Sequence, residues 1–161
     1  AADQLVIGKV RSDGLPALIL RSSNVFGSAQ NPEKLIPKTF QSIKGNKPIL
    51  IYGKGEQMRC WLNATTYSEI IWRLLSSPVA GEIFNIPGKE VFTNLELVQM
   101  IRSIYKEETK CEPSEILFTT DRKNHDFYYH ISGEKLDCWL MTVDEKIEYR
   151  KMSDFIVSEL G

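Results

Sequence analysis

Short apolar runs alternate along this chain with longer segments in which apolar residues recur at helical spacing. Residues 16–20 and 49–52 are unbroken apolar runs of strand length. The first predicts a strand over residues 16–21 that is typical of strands buried on both faces of a parallel sheet. Residues 33–44 carry apolar side chains every three or four positions, which predicts a helix ended by Gly45. The alternation predicts an α/β fold with crossover connections.

Helix-capping residues and the spacing of apolar residues predict the remaining helices and strands. Thr93 and Glu96 have the spacing of a capping box at the start of a helix. Thr65 or Thr66 is expected to cap the preceding helix, which runs to residue 75. We expect helices over residues 1–12, 65–75 and 94–106, a last helix opened by residues 142–145, strands over 59–62, 82–86 and 116–119, and a loop over 121–129. The first helix is already under way at residue 1, so we expect the chain to continue upstream.

Composition narrows the classes of protein and of partner. The 161 residues hold 20 Lys+Arg and 21 Asp+Glu, a balance without the basic field that nucleic-acid binding requires. No apolar run approaches the roughly 20 residues that span a bilayer, so we expect no membrane partner. Three cysteines without C-x-x-C spacing and two histidines favour a reduced, cytoplasmic protein with no metal site.

Motifs for catalysis are absent from the sequence. There is no G-x-S-x-G elbow, no glycine-rich phosphate loop and no conspicuous carboxylate pair. Polar groups suited to an anionic ligand do occur in or beside loops next to predicted strand ends, where open α/β sheets bind their ligands. They are Asn24, Lys34, Arg59, Arg122 and His125.

Six segments resemble family motifs in order along the chain. They read R-S-S-N-V-F-G from residue 21, N-P-E-K-L-I-P from 31, I-Y-G-K-G-E-Q-M-R-C-W-L from 51, G-E-I-F-N-I from 81, D-R-K-N-H-D from 121 and K-L-D-C-W from 135. The corresponding motifs belong to extended short-chain dehydrogenases that act on nucleotide sugars, the NAD-dependent epimerase/dehydratase family. The E-K-L-I-P run is most similar to their dTDP-glucose 4,6-dehydratase branch.

The resemblance implies that this chain is the C-terminal, substrate-binding half of an extended Rossmann-type, doubly wound fold. Residues 1–23 would end the dinucleotide-binding domain with a helix and a strand, and residues 24–161 would form the smaller α/β substrate-binding domain with interleaved sheet strands. The glycine-rich NAD loop, the Tyr-x-x-x-Lys pair and the acid/base pair of the family would then lie upstream of Ala1. We therefore expect no catalytic residue in this segment, and NAD bound mainly by the other half.

The resemblance also assigns ligand-binding roles, residue by residue. It places Asn24, Arg59 and Arg122 on the diphosphate, His125 beside it, Lys34, Leu35 and Tyr52 around the nucleoside, and Ser23 as a possible cofactor contact. Each of these residues could also have an ordinary structural role without a ligand. An arginine, a lysine or the 122–125 segment is ordinarily solvated, Asn24 could close an Asx-turn, and Tyr52 could simply pack. Cys60 has no neighbouring histidine and is not read as a nucleophile.

Several positions depart from the family pattern. Cys60 stands where the family has an aspartate, and Tyr128 stands where it has an arginine. Leu50 and Ser28 each replace a proline, and Pro87 replaces a glycine. Residues 63–66 replace a Y-V-x-D stretch. We expect these changes to surround the ligand pocket.

The implied function is that of an NAD-dependent nucleoside-diphosphate-glucose 4,6-dehydratase, which forms a 4-keto-6-deoxy sugar when the chain is joined to its N-terminal half. In the family a tyrosine takes the O4 proton as the C4 hydride goes to NAD, water leaves across C5–C6, and the hydride returns to C6. The expected partners are the nucleotide sugar, the N-terminal half and a second copy of the enzyme. A related epimerase or decarboxylase, and a truncated non-catalytic binding module, remain the alternatives.

Overall fold

Helices and strands alternate along the chain in a computed structural model that describes residues 1–77, 79–121, 126–143 and 146–160. The helices are α1 (Ala2–Asp13), α2 (Leu35–Lys44), α3 (Ala64–Leu75), α4 (Asn94–Thr109), α5 (Glu134–Thr142) and α6 (Met152–Ser158). The strands are β1 (Ile19–Ser22), β2 (Asn24–Phe26), β3 (Ile49–Tyr52), β4 (Met58–Asn63), β5 (Ile83–Ile86), β6 (Glu90–Thr93), β7 (Ile116–Thr119) and β8 (Tyr128–Tyr129). The predicted α/β class is confirmed. None of these helices is long and apolar enough to cross a membrane.

The described strands form three small sheets. β1 pairs in parallel with β5, and β3 pairs in parallel with β7. In the third sheet β4 lies between β6, which is antiparallel to it, and the parallel strands β2 and β8. β8 pairs with residues 58–59 and β2 with residues 61–63, so these two strands follow one another along the same edge of β4.

Two hydrophobic cores meet at β4. Trp61 belongs to the core that α2, α4 and α6 cover. The Phe26 ring packs edge-on against the Trp61 ring in this core, with 6.4 Å between their centroids. Leu62 belongs to the second core, which α3 and α5 cover together with β5. Because successive side chains of a strand point to opposite faces, one strand supplies both cores.

Several boundaries differ from prediction by a few residues. The side chain of Asn63 accepts a hydrogen bond from the Thr65 backbone N–H at 2.8 Å, so Asn63 caps α3 in place of the predicted threonines. α2 begins at Leu35 instead of residue 33, which makes Pro37 its third residue. A proline is tolerated there because the first N–H groups of a helix have no intrahelical acceptor.

The C-terminal part differs more. Thr142 ends α5 and does not open a helix, while Asp144 and Glu145 of the predicted helix start lie outside the described residues. The last helix begins at Met152. The prediction also missed α5 and three strands, β2, β6 and β8, the first of which falls in a stretch expected to be a polar loop. These strands are short segments that depend on pairing with β4.

The N-terminal elements are less covered than the rest. α1 ends as predicted at Gly14, whose positive φ of 67° lets its own N–H donate to the Val10 carbonyl at 3.2 Å and the Leu15 N–H donate to the Lys9 carbonyl at 3.5 Å. None of the α1 residues is buried, and Leu5 is 73% exposed. β1 begins at Ile19 and is half-buried instead of enclosed on both faces, with Arg21 donating to the Asp3 carboxylate at 2.5 Å.

Gly88 lets the connection between β5 and β6 press against β4. A Cβ at this position would lie 1.6 Å from the Trp61 carbonyl oxygen. The Gly88 N–H donates to Ser23 Oγ at 2.9 Å, and its carbonyl accepts from the Cys60 thiol at 3.2 Å. The two contacts join the start of β2 to β4 through one residue.

We predict that Gly88→Ala destabilises the protein by about 3 kcal/mol or more, because the backbone must separate to admit the methyl group. Thermal unfolding of the natural full-length polypeptide measures the effect. The matched control is Gly8→Ala within α1, where nothing lies within 4 Å of the added Cβ. That control should be neutral, or stabilising by about 0.5–1 kcal/mol. Equal melting temperatures for the two variants would contradict the packing described.

The predicted capping box of α4 is present. The Thr93 hydroxyl accepts from the Glu96 N–H at 3.1 Å, and the Glu96 carboxylate accepts from the Thr93 N–H at 2.7 Å. The backbone bond first, and the hydroxyl second, lower the pKa of Glu96 below its usual value. The box sets the first turn of α4 and therefore the position of Asn94.

A lowered folded-state pKa stabilises the protein above the unfolded-state value, and that contribution is lost as the pH falls through the folded-state value. We therefore expect Glu96→Gln to lower the melting temperature by about 1–2 °C at pH 7. The difference from wild type should shrink steadily below pH 4.5, the ordinary value for this group. Glu107→Gln, near the other end of α4, is the control. A pH-independent difference for Glu96→Gln would show that its charge makes no contribution.

Candidate functional site

Two adjoining cavities lie beside β4. The first, here called the Tyr52 cavity, has about 250 Å³ and is lined by Glu33, Lys34, Leu35, Lys38, Leu50, Ile51, Tyr52, Gln57, Arg59, Asn94 and Asp121. The second, the Trp61 cavity, has about 320 Å³ and is lined by Asn24, Val25, Gln30, Lys34, Leu35, Arg59, Trp61 and Asn94. They share Lys34, Leu35, Arg59 and Asn94, which form a common wall.

The alternation of β4 explains which of its side chains reach the cavities. Arg59 and Trp61 are two residues apart and therefore lie on the same face of the strand. Asn24 is the direct register partner of Trp61 across the β2–β4 ladder. Cys60 lies on the opposite face, fully buried, and its thiol donates to the Gly88 carbonyl. The Cys-for-Asp departure therefore does not line either cavity.

A glycine turn shapes the other end of the site. Tyr52 ends β3, and Gly53 and Gly55 follow it with positive φ angles of 58° and 73°. A Cβ on Gly55 would lie 2.8 Å from Ile51 Cγ2 and 3.0 Å from Leu95 Cβ, so both conformation and space favour glycine there. The turn brings the chain back so that Gln57 and Tyr52 line one cavity.

A buried amide network forms part of the wall. The Gln57 side chain, 5% exposed, donates from Nε2 to the Asp121 carboxylate at 3.3 Å. Its Oε1 accepts from Asn94 Nδ2 at 3.3 Å, and its backbone carbonyl accepts from the Asn94 N–H at 3.0 Å. Sequence analysis missed Gln57 and Asn94 as candidate site residues. The usable signal was the position of Asn94 directly after the capping threonine.

Arg59 is anchored by backbone carbonyls. Its guanidinium donates to Met58 O and Asp126 O at 2.7 Å each, and to Phe127 O at 3.3 Å. These bonds and the Met58–Phe127 backbone bond of 2.8 Å attach the 126–129 segment to β4. The planar guanidinium is therefore held in a fixed orientation at the common wall.

The structure brings most of the predicted site residues together. Asn24, Lys34, Leu35, Tyr52 and Arg59 all line the two cavities. Arg122 and His125 lie outside the described residues. Ser23 is buried, and its hydroxyl accepts from the Gly88 N–H, so it acts as a structural tie.

The other departures from the family motifs are dispersed. Leu50 lines the Tyr52 cavity, as expected. Ser28 and Asn63 line a different pocket, next to α6. Tyr128 is exposed and stacks on the His130 ring with 5.8 Å between centroids. The expectation that all these changes surround one pocket is therefore wrong.

The charge of the site suits an anion. Lys34 and Arg59 line the Trp61 cavity, with no carboxylate among the described residues around it. The Tyr52 cavity has Lys38 as a third cationic side chain beside Lys34 and Arg59. The carboxylates of Glu33 and Asp121 partly offset this positive charge. No cluster of three or more His, Cys, Asp or Glu residues that could hold a metal ion occurs in the described part of the chain.

Curated relatives share most of this chain but extend well beyond it. The dTDP-glucose 4,6-dehydratase of Xanthomonas campestris pv. campestris strain B100 is 36% identical over 141 residues, which are 84% of this chain and 40% of that protein. The dTDP-glucose 4,6-dehydratase of Neisseria gonorrhoeae is 34% identical over 143 residues, 84% of this chain and 41% of that protein. The chain thus spans about 40% of the length of these relatives.

Solved structures agree with the predicted fold class. The dTDP-glucose 4,6-dehydratase of Bacillus anthracis in complex with NAD superposes with a TM-score of 0.83 at 29% identity, covering 99% of this chain and 48% of that one. The UDP-glucuronic acid 4-epimerase of Bacillus cereus, in complex with UDP-glucuronic acid and NAD, gives 0.81 at 20% identity over 98% of this chain and 48% of its own, which supports the fold alone. The sequence profile described as the NAD dependent epimerase/dehydratase family matches residues 1–87, more than half of the 161. This chain therefore belongs to the NAD-dependent epimerase/dehydratase family.

Proposed function

We propose that this chain binds a nucleoside-diphosphate sugar across the Tyr52 and Trp61 cavities and is the substrate-binding half of an NAD-dependent nucleoside-diphosphate-glucose 4,6-dehydratase. The proposal rests on the way in which the structure brings predicted site residues together. Five residues chosen from the sequence, scattered from Asn24 to Arg59, line two cavities that share one wall. That wall contains a fixed guanidinium, an ammonium group and an amide, which are the donors that a diphosphate accepts.

Each cavity suits a different part of such a ligand. Tyr52 and Leu50 offer an aromatic and an apolar surface to a nucleobase. Arg59, Lys34 and Asn24 donate to the diphosphate from the common wall and the adjoining face of β2. The proposed contribution of Lys34 is its ammonium group, because its backbone N–H already donates to the Asn31 carbonyl at 3.0 Å.

The relatives favour a dehydratase over an epimerase or a decarboxylase. The curated relatives at 32–36% identity are named dTDP-glucose 4,6-dehydratase, whereas the epimerase structures are about 20% identical and support only the fold. Binding energy from the nucleotide, remote from the reacting carbons, would hold the hexose against the other half of the enzyme. The contribution of this half to the reaction is thus orientation and specificity.

NAD would supply the temporary hydride acceptor of that reaction. The resemblance offers Ser23 as a possible cofactor contact, but the residue is buried and its hydroxyl accepts from the Gly88 N–H. That geometry does not fit a direct cofactor ligand. We therefore propose that NAD is bound mainly by the part of the enzyme that the relatives possess beyond this chain.

The domain division belongs to the same proposal. Residues 1–23 would complete the dinucleotide-binding domain and residues 24–161 would form the substrate-binding domain. Support comes from α1, which lacks buried residues and is joined to β1 by the Asp3–Arg21 ion pair. An uncovered helix of this kind suits contact with the N-terminal half or with a second copy of the enzyme.

We predict that Arg59→Lys in the natural full-length polypeptide weakens dTDP-glucose binding about 10- to 100-fold, because lysine cannot reproduce the fixed fork of donors. Isothermal titration measures the dissociation constant, and formation of the 4-keto product measures turnover. The matched control is Arg102→Lys, since Arg102 also anchors a backbone carbonyl, that of Ser114 at 2.9 Å, but lines neither cavity. Equal affinities for Arg59→Lys and wild type would refute the assignment.

A further inference from the structure

Two polar atoms at the Trp61 cavity have no hydrogen-bond partner among the described residues. They are the indole Nε1 of Trp61 and the amide Oε1 of Gln30, both shielded from solvent. Both residues line that cavity, and Trp61 is buried, with a relative exposure of 5%. Buried polar atoms are almost always paired in folded proteins, so this donor and this acceptor call for a partner from outside the described residues.

Neighbouring contacts hold both side chains in place. The Trp61 ring packs edge-on against Phe26, which also packs edge-on against the Phe155 ring with 5.3 Å between centroids. Gln30 donates from Nε2 to the Val25 carbonyl at 3.0 Å. Only the NH2 end of an amide can donate to a carbonyl, so that bond fixes Oε1 as the free end. The donor and acceptor are therefore preorganised.

The order of groups along the site indicates what they meet. Tyr52 lies in one cavity, the cationic side chains of Arg59 and Lys34 are shared, and Trp61 and Gln30 belong only to the other cavity. A ligand with its base beside Tyr52 and its diphosphate at the common wall presents at Trp61 the part that follows the diphosphate. This step rests on the proposed function.

We propose that Trp61 and Gln30 are specificity-determining residues that hydrogen-bond the hydroxyl groups of the hexose. A hydroxyl accepts from the indole N–H and donates to the amide oxygen, so sugar hydroxyls satisfy both atoms. A phosphate oxygen only accepts, and would leave Gln30 Oε1 unpaired and facing negative charge. The pair thus distinguishes a sugar from a further phosphate at this end of the site.

The test compares two probes, dTDP and dTDP-glucose, in isothermal titrations of the natural full-length polypeptide. Trp61→Phe removes the N–H and keeps an aromatic ring, and Gln30→Met removes the acceptor. Each should weaken dTDP-glucose binding roughly three- to tenfold and leave dTDP binding within about twofold of wild type. Trp139→Phe is the matched control, because Trp139 packs on Phe84 away from both cavities, and it should change neither constant.

The outcomes separate this inference from the proposed function. Equal weakening of both probes by Trp61→Phe or Gln30→Met would overturn the inference, since a structural or diphosphate-binding role predicts that result. Unchanged dTDP-glucose binding in both variants would also overturn it, and would assign the two atoms to a bound water. If Trp61→Phe fails to fold, the comparison of probes with Gln30→Met decides. Wild-type protein that binds neither probe would contradict the proposed function, and this inference with it.

Discussion

Strand β4 pairs along both edges, and this pairing determines the arrangement of the cores and of the cavities. β6 occupies one edge, while β8 and β2 occupy successive parts of the other. The residues of β4 are therefore fixed in register at nearly every position, and their side chains must alternate between two faces. One face provides Arg59 and Trp61 to the cavities, and the other buries Cys60 and Leu62. A shift by one residue would exchange the two sets, so the site exists only in this register.

Arg59 combines two roles through one set of hydrogen bonds. Its bonds to the carbonyls of Asp126 and Phe127 hold a short segment against β4, and the same bonds hold the guanidinium still. A fixed guanidinium loses less conformational freedom when an anion binds. The segment that it holds adjoins residues 122–125, where the sequence places two further candidate ligands. The geometry of the common wall and the attachment of that segment therefore depend on one side chain.

The parts of the fold that sequence analysis predicted are those with a local cause. The β3 strand, the Gly14 helix end and the Thr93–Glu96 capping box each follow from a short pattern, and each is present. β6 and β8 were missed because they consist of a few residues whose partner, β4, is distant in sequence. Tertiary pairing decided their structure, and no local periodicity signals it. The same holds for Gln57, whose amide joins Asp121 to Asn94 across 64 and 37 positions of the chain.

The site residues also divide into those that a local sequence pattern indicates and those that only the folded structure reveals. Asn24, Lys34 and Arg59 were found as polar residues beside predicted strand ends and within family motifs, and the structure places all three at one cavity. No binding role was predicted for Trp61, whose ring packs in a hydrophobic core and whose N–H has no hydrogen-bond partner among the described residues. A buried donor without an acceptor costs about 1–3 kcal/mol of stability. Folded proteins keep such costs mainly where a ligand removes them, so a break in the local rules of packing marks function more sharply than the apolar pattern around it.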